Sequence, residues 1–374
     1  MRIGFFTECY RPVVNGVVSA IVAMREGLRA AGHEVVCITP TVPSYEDVET
    51  AIIRLPSFPL PSSTGYRLTL PAATRSIDAR LERPLDVVHA HSQFITGGMA
   101  LRYARDHAVP LVFTYHTRLD FYAHYVPFER NLVRRGLAVW TRAYANRANA
   151  VVAPTAEVRR YLTALGVTAP IEIVPSPVDL ERFGSGRRRE DLRAAMGAGC
   201  RETIALCVGR LAREKNLELA FAVCAAAGPR IRLALAGDGP LRRRLERLAR
   251  ELGIAERVRF LGPVAPAAMP DYYASADVLL FPSVSETQGL VLVEALAAGL
   301  RIVAVDTPQT REVVGDAAEL VAPRPAAMAR ALEAAGPRTP EQSAIQLASH
   351  GFTIEEQARK LVALYASVQG GFPT

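Results

Sequence analysis

Short apolar runs alternate with longer amphipathic stretches from one end of the chain to the other. Arg2 to Thr7 reads Arg-Ile-Gly-Phe-Phe-Thr, too short for a helix and without a polar face, as expected of a strand buried on both sides. Apolar positions then recur at helical spacing through Ala31, and Gly32 supplies the stop. The same alternation predicts strands from Glu34 to Thr39, Asp86 to Ala90, Pro110 to Tyr115, Ala150 to Ala153 and Ile171 to Val174. Helices are predicted over residues 67–82 and 128–148, and from the capping residue Thr155 to Leu165. Residues 40–66, rich in Pro and Ser, break the rhythm and read as a long loop with one strand near Ile52 to Leu55.

Pro175-Ser176-Pro177-Val178-Asp179, with Gly184 and Gly186 soon after, marks a domain boundary at mid-chain. Beyond it the pattern repeats, with strands from Thr203 to Val208, Ile231 to Ala236, Val258 to Leu261, Val278 to Phe281 and Ile302 to Val305. Residues 325–335, 340–349 and 354–368 read as terminal helices, the last two crossing back onto the first domain. Strand–helix alternation over the whole length implies an α/β chain with parallel sheets. The expected division is residues 1–175, joined by about 354–374, and residues 176–353.

Composition narrows the classes. Of 374 residues half are hydrophobic, which is material for two cores. The positive charge is almost wholly arginine, and the only lysines are Lys215 and Lys360, so Lys215 stands out. Residues 1–175 hold 19 arginines against 14 acids, and that excess suggests an anionic substrate or surface on the first half. No aromatic-studded basic stripe or recognition-helix motif appears, which argues against nucleic acid. Cys9, Cys37, Cys200, Cys207 and Cys224 form no C-x-x-C and read as reduced packing residues of a cytoplasmic protein. The chain opens on a strand rather than a signal peptide, and no apolar run approaches the ~18 residues of a membrane span. Membrane contact, on this reading, is peripheral.

Candidate chemistry sits where strands end. After the strand that closes at Phe281 come Glu286 in a loop, Gly289 at a helix start and Glu294 inside that helix. A helix N-terminus offers bare N–H groups to a phosphate, and carboxylates can take the hydroxyls of sugars on either side of it. Arg210 and Lys215 follow another strand end as fixed cations for a diphosphate. Gly237 and Gly239 follow a third, and Gly16 follows the first strand of the chain, without the full glycine fingerprint of a dinucleotide site. His116 ends the strand from Pro110 and can donate a hydrogen bond or act as acid or base. His89 and His91 lack a third metal ligand nearby and read as structural. The helix over 128–148 carries Arg130, Arg134, Arg135, Arg142 and Arg147 among Leu132, Leu137, Val139 and Trp140, either a core helix with a solvated basic face or one lying on an anionic membrane.

Taken together, Asn15-Gly16-Val17, Asp86-Val-Val-His89-Ala-His91, His116-Thr117, Gly-Arg210-Leu-x3-Lys215-Asn216, Gly237-Asp-Gly239-Pro and Glu286-x7-Glu294 resemble the retaining glycosyltransferases of family 4. The resemblance spans nearly the whole chain. It implies a GT-B fold, two Rossmann-like doubly wound domains facing each other across a cleft, and a metal-independent hexosyltransferase without a cofactor. It further implies that Gly16, Arg210 and Lys215 meet the donor diphosphate, with Gly237, Gly239, Gly289 and Leu290 lining the donor site. His116 and Glu286 would contact the transferred sugar and Glu294 the nucleotide ribose. Glu286-Thr287-Gln288-Gly289 lacks the aromatic many members carry before the glycine. That variant, with Tyr122, His124 and Tyr125 after His116, is similar to the diacylglycerol glucosyltransferase branch and its mannosyl relatives. Tyr10, Asp120, Tyr122, His124 and Tyr125 are then candidates for the acceptor wall. The donor expected is a UDP- or GDP-linked glucose or mannose, and the acceptor a membrane lipid such as diacylglycerol. A sugar-nucleotide epimerase on the same scaffold, a non-catalytic binder, and transfer to a soluble or polysaccharide acceptor are the alternatives.

Overall fold

The computed structural model describes residues 1–60, 67–70, 75–121, 129–199, 201–335 and 350–369. The chain divides into two compact units, Met1–Pro177 with the segment from Ile354, and Val178–Thr353. The expected helix over 340–349 and the stretch Tyr122, His124 and Tyr125 lie outside the described residues, as does Cys200.

The first unit is built on β1 (Arg2–Phe6), α1 (Gly16–Ala30), β2 (Glu34–Pro40), β3 (Ile52–Leu55), β4 (Ser57–Pro59), β5 (Arg67–Thr69) and α2 (Arg75–Asp78). It continues with β6 (Val87–Ala90), α3 (Ile95–Asp106), β7 (Leu111–Thr114), α4 (Arg130–Ala145), β8 (Ala150–Ala153), α5 (Ala156–Ala164) and β9 (Ile171–Ile173). Seven of these strands form one parallel sheet in the order β3-β2-β1-β6-β7-β8-β9. Its central strands are buried on both faces, which is why β1, β6, β7 and β8 read as unbroken apolar runs.

One expectation fails. Residues 67–82 are not a continuous helix: β5 pairs antiparallel with β4, and among the described residues of this stretch only Arg75–Asp78 is helical. Arg67-Leu-Thr-Leu70 alternates polar and apolar with the period of a strand, and Pro71 closes off any helix running through it. The Arg67 guanidinium also donates to the hydroxyl and carbonyl of Ser57, both at 2.9 Å, clasping the hairpin.

The second unit comprises α6 (Leu180–Gly184), α7 (Glu190–Ala195), β10 (Thr203–Val208), α8 (Leu217–Ala226), β11 (Ile231–Ala236), α9 (Arg242–Glu251) and β12 (Val258–Gly262). After these come α10 (Met269–Ser275), β13 (Val278–Phe281), α11 (Leu290–Ala297), β14 (Arg301–Val305), α12 (Pro308–Val314), β15 (Glu319–Val321) and α13 (Pro325–Ala334). Its six-stranded parallel sheet runs β12-β11-β10-β13-β14-β15, with a packed core on each face. The last helix, α14 (Ile354–Ser367), belongs to the first unit and lies against α1. Gly27 permits that approach, since a Cβ there would stand 2.7 Å from Ile354 and 3.2 Å from Ala358.

Each sheet has a point where strand order reverses, β1/β6 in the first unit and β10/β13 in the second. In open parallel sheets ligands bind outside the carboxyl ends of the strands at that point. The loops after these four strands, and after their neighbours β7 and β11, hold most of the residues singled out from the sequence.

Candidate active site

In the second unit three strand-end loops are knitted into one surface. The loop after β10 turns at Gly209 (φ +135°) and carries Arg210 before a short helical turn, Arg213–Lys215. Asn216 then takes a left-handed conformation (φ 50°), and its side-chain amide donates to the Pro282 carbonyl at 3.0 Å. The Ser283 and Ser285 hydroxyls both reach back to the Glu214 carbonyl, at 3.1 and 2.7 Å. Lys215 Nζ meets Glu286 Oε1 at 2.6 Å, both side chains mostly buried. A cation from one loop and a carboxylate from the next therefore share one spot at the switch point.

The loop after β11 packs beneath the first. Gly237 (φ +141°) lies so close that a Cβ would stand 2.0 Å from the Gly209 carbonyl oxygen. At Gly239 a Cβ would meet the Leu211 backbone at 2.6 Å. Only glycine fits either position, the first for both space and backbone conformation. Leu211 N–H donates to the Asp238 carbonyl at 3.0 Å, locking the two loops edge to edge.

Gly289 caps α11 with φ +83°, again a conformation that favours glycine, and Leu290 begins the helix. Further along α11 the Glu294 carboxylate accepts from the Tyr273 hydroxyl at 2.6 Å. Burial raises the Glu294 carboxyl above its ordinary range, opposed by that hydroxyl bond and by the Arg182 charge. Tyr273, wholly buried on α10, was not visible as a site residue in the sequence. It looks there like any apolar helix position, and nothing in its spacing points to Glu294, 21 residues on.

In the first unit Gly16 begins α1, and Asn15 caps it by accepting from Val18 N–H at 2.8 Å. Earlier in the same β1–α1 loop Glu8 accepts from Thr96 N–H at 2.7 Å at the start of α3, while its other oxygen is buried without a hydrogen-bond partner. Burial raises the Glu8 carboxyl. His116, just beyond β7, bonds through Nε2 to His91 Nδ1 at 2.9 Å. His91 lies against His89 with ring centroids 4.2 Å apart and the planes tilted by 33°, and His89 bonds to Thr114 and to Tyr365 on α14, both at 2.6 Å. Burial pushes His89 down to about 3 and His116 to about 4, and holds His91 well below its ordinary value.

The acceptor candidates fare differently. Tyr10 is no part of an open wall: it is buried and donates to Glu49 at 2.6 Å, in a cluster with Arg11 and Arg25. Asp120 is clasped by both nitrogens of the Arg118 fork at 2.8 and 2.9 Å, and that guanidinium lies 3.8 Å over the Tyr161 ring. Among the described residues no group of His, Cys, Asp and Glu is placed to hold a metal ion, and no helix is long and apolar enough to cross a membrane.

The family model described as Glycosyltransferase Family 4 matches residues 14–182, and that described as Glycosyl transferases group 1 matches residues 188–336. The chain is 34% identical over 319 residues to an alpha-monoglucosyldiacylglycerol synthase of Acholeplasma laidlawii, covering 81% of this chain and 80% of the relative. It is 32% identical over 345 residues to a GDP-mannose-dependent alpha-(1-6)-phosphatidylinositol dimannoside mannosyltransferase of Mycobacterium tuberculosis, covering 89% and 87%. In structure it resembles the sucrose-phosphate synthase of Thermosynechococcus elongatus, with a TM-score of 0.73 at 23% identity over 98% and 96% of the two chains. The two Rossmann-like units are those of the GT-B architecture. With both halves matched by glycosyltransferase models and relatives above 30% identity along most of its length, the chain belongs to glycosyltransferase family 4.

Proposed function

We propose that this enzyme is a retaining hexosyltransferase that moves glucose or mannose from a UDP- or GDP-linked donor to the hydroxyl of a membrane lipid, diacylglycerol in the first instance. The observation that carries the donor half is the meeting of Lys215 and Glu286 at the β10/β13 switch point, on loops braced by Asn216, Ser283 and Ser285. As the bond from sugar to diphosphate breaks, negative charge grows on the phosphate oxygens, and Arg210 and Lys215 stabilise it. Glu286 holds hydroxyls of the departing sugar, Gly289 and Leu290 bring backbone close to the donor, and Glu294, aimed by Tyr273, takes the ribose. On this reading residues 176–353 are the donor domain and 1–175 the acceptor domain. Gly16 lies against the diphosphate and His116 against the sugar. The acceptor attacks from the face the diphosphate leaves, and a phosphate oxygen takes its proton, so configuration is retained without a carboxylate nucleophile.

The lipid half rests on α4. From Arg130 to Trp140 this helix has no buried residue: Leu132, Val139 and Trp140 are 67%, 57% and 53% exposed, amid the exposed Arg130, Arg134, Arg135 and Arg142. Apolar side chains ringed by arginine suit an anionic lipid surface, where the apolar groups enter the interface and the guanidiniums meet headgroup phosphates. On this reading the enzyme is a peripheral membrane protein. The relatives named above are, by their names, a synthase of alpha-monoglucosyldiacylglycerol and a GDP-mannose-dependent phosphatidylinositol dimannoside mannosyltransferase, and both names carry a membrane lipid. A panel of UDP- and GDP-sugars, with and without diacylglycerol in vesicles, tests both halves by released nucleotide and by the mass of the product. Nucleotide release that depends on lipid, with a hexose added to it, is the expected result. Equal release with a soluble sugar acceptor would replace the lipid, and no release with any donor would remove the transferase reading.

A further inference from the structure

His116 and its neighbours say which chemistry that histidine can perform. Its Nε2 faces His91 Nδ1 at 2.9 Å, and a single hydrogen must lie between them. Two assignments are open for a neutral pair. If His116 donates, His91 carries its own hydrogen on Nε2, an atom buried without any partner. If His91 donates from Nδ1, only a bare lone pair of His91 is left in that dry place. A polar N–H sealed from every acceptor is the rarer and costlier orphan in folded proteins.

His91 cannot turn to escape the choice. It is 5% exposed and held between the Phe5 ring, with centroids 4.5 Å apart, and the His89 ring. His89 is fixed in turn at both nitrogens by Tyr365 and Thr114.

We infer that His91 is a positioning residue: it donates Nδ1–H to His116 Nε2 and fixes His116 as the neutral tautomer that carries its hydrogen on Nδ1. His116 then has no basic nitrogen to offer a substrate. It works as a hydrogen-bond donor to a sugar oxygen, not as a general base. This rests on the proposal that His116 meets the transferred sugar. Burial, which lowers the affinity of all three histidines for protons, keeps the pair uncharged near neutrality.

The test uses the full chain with isotope-labelled histidine and reads tautomers by long-range nitrogen–proton correlation near neutral pH, with His116 assigned by its loss in His116→Ala. The wild type should show His116 protonated on Nδ1 and bare on Nε2. His91→Asn, whose amide N–H takes the place of imidazole Nδ1–H, should preserve that pattern and most of the turnover. His91→Leu should abolish the pattern and lower kcat by about 10- to 100-fold with little change in donor KM. His116 protonated on Nε2 in the wild type would overturn the inference, and so would His91→Leu leaving both pattern and kcat intact. If His91→Leu fails to fold, the wild-type and His91→Asn spectra decide. If no donor is turned over, the spectra still judge the histidine pair while the transferase reading alone falls.

Discussion

The ion pair between Lys215 and Glu286 is where single substitutions should tell most. Both groups are largely withdrawn from water, so the charge of each is felt strongly by its neighbours. On the proposed reading, Lys215→Ala removes a cation from the place where diphosphate charge develops, and Glu286→Ala removes the group that holds the sugar. Each should lower kcat by about 10²- to 10³-fold while the thermal transition stays within a few degrees, which steady-state kinetics and calorimetry will check. Tyr273→Phe is a subtler case. It keeps the packing of a wholly buried ring but strips the hydrogen bond that aims Glu294. With Glu294 on the ribose as proposed, donor KM should rise roughly 10-fold with kcat nearly unchanged, because that grip would be alike in ground and transition states. A fall in kcat at constant KM would place Glu294 nearer the reacting bond than proposed.

At the scale of elements, the strand-end loops depend on close backbone approach. Gly237→Ala would drive a methyl into the Gly209 carbonyl and strain a backbone at φ +141°. A loss of about 2–4 kcal/mol, seen as a lower denaturant midpoint, should accompany loss of nucleotide binding. The helix α4 supplies a different test, because Trp140 is the only tryptophan of the chain and sits on the exposed face. Its emission should shift to the blue when the protein meets phosphatidylglycerol vesicles at low salt, and the shift should vanish at high salt. An unchanged spectrum with vesicles that support turnover would remove α4 as the membrane contact. Element identity was largely legible beforehand, since strands buried on both faces announce themselves as apolar runs. Arg67 to Leu70 escapes a local reading because four residues carry too little period to tell strand from helix, and the hairpin partner that decides it lies about ten residues upstream.

For the molecule as a whole, acid should act first on the first unit. His89, His91 and His116 are all neutral in the fold, whereas an unfolded chain binds a proton at each near pH 6.5. The unfolded state then holds more protons below that value, so the contribution of neutral histidine is complete above about pH 6.5 and is lost as pH falls toward about 4. Each histidine can cost up to ~1.4 kcal/mol per pH unit across that window. Thermal melts from neutrality down to pH 4 should show the transition falling steeply, less so in His89→Gln once its lower starting stability is allowed for.

Sequence alone determined the α/β alternation, the glycines at strand ends and the charged residue types beside them, because those follow from local period, backbone conformation and the chemistry of an anionic donor. Tertiary structure decided which residues stand together. Lys215 finds Glu286 71 positions away, and His89 finds Tyr365 276 positions away on a helix that returns to the first unit. Tyr273 becomes the support of Glu294, and Tyr10 turns inward to Glu49 rather than forming an acceptor wall. The reason is physical. Local spacing specifies what a segment can become, but hydrogen bonds and burial are settled only when distant strands lie side by side and water has been excluded between them.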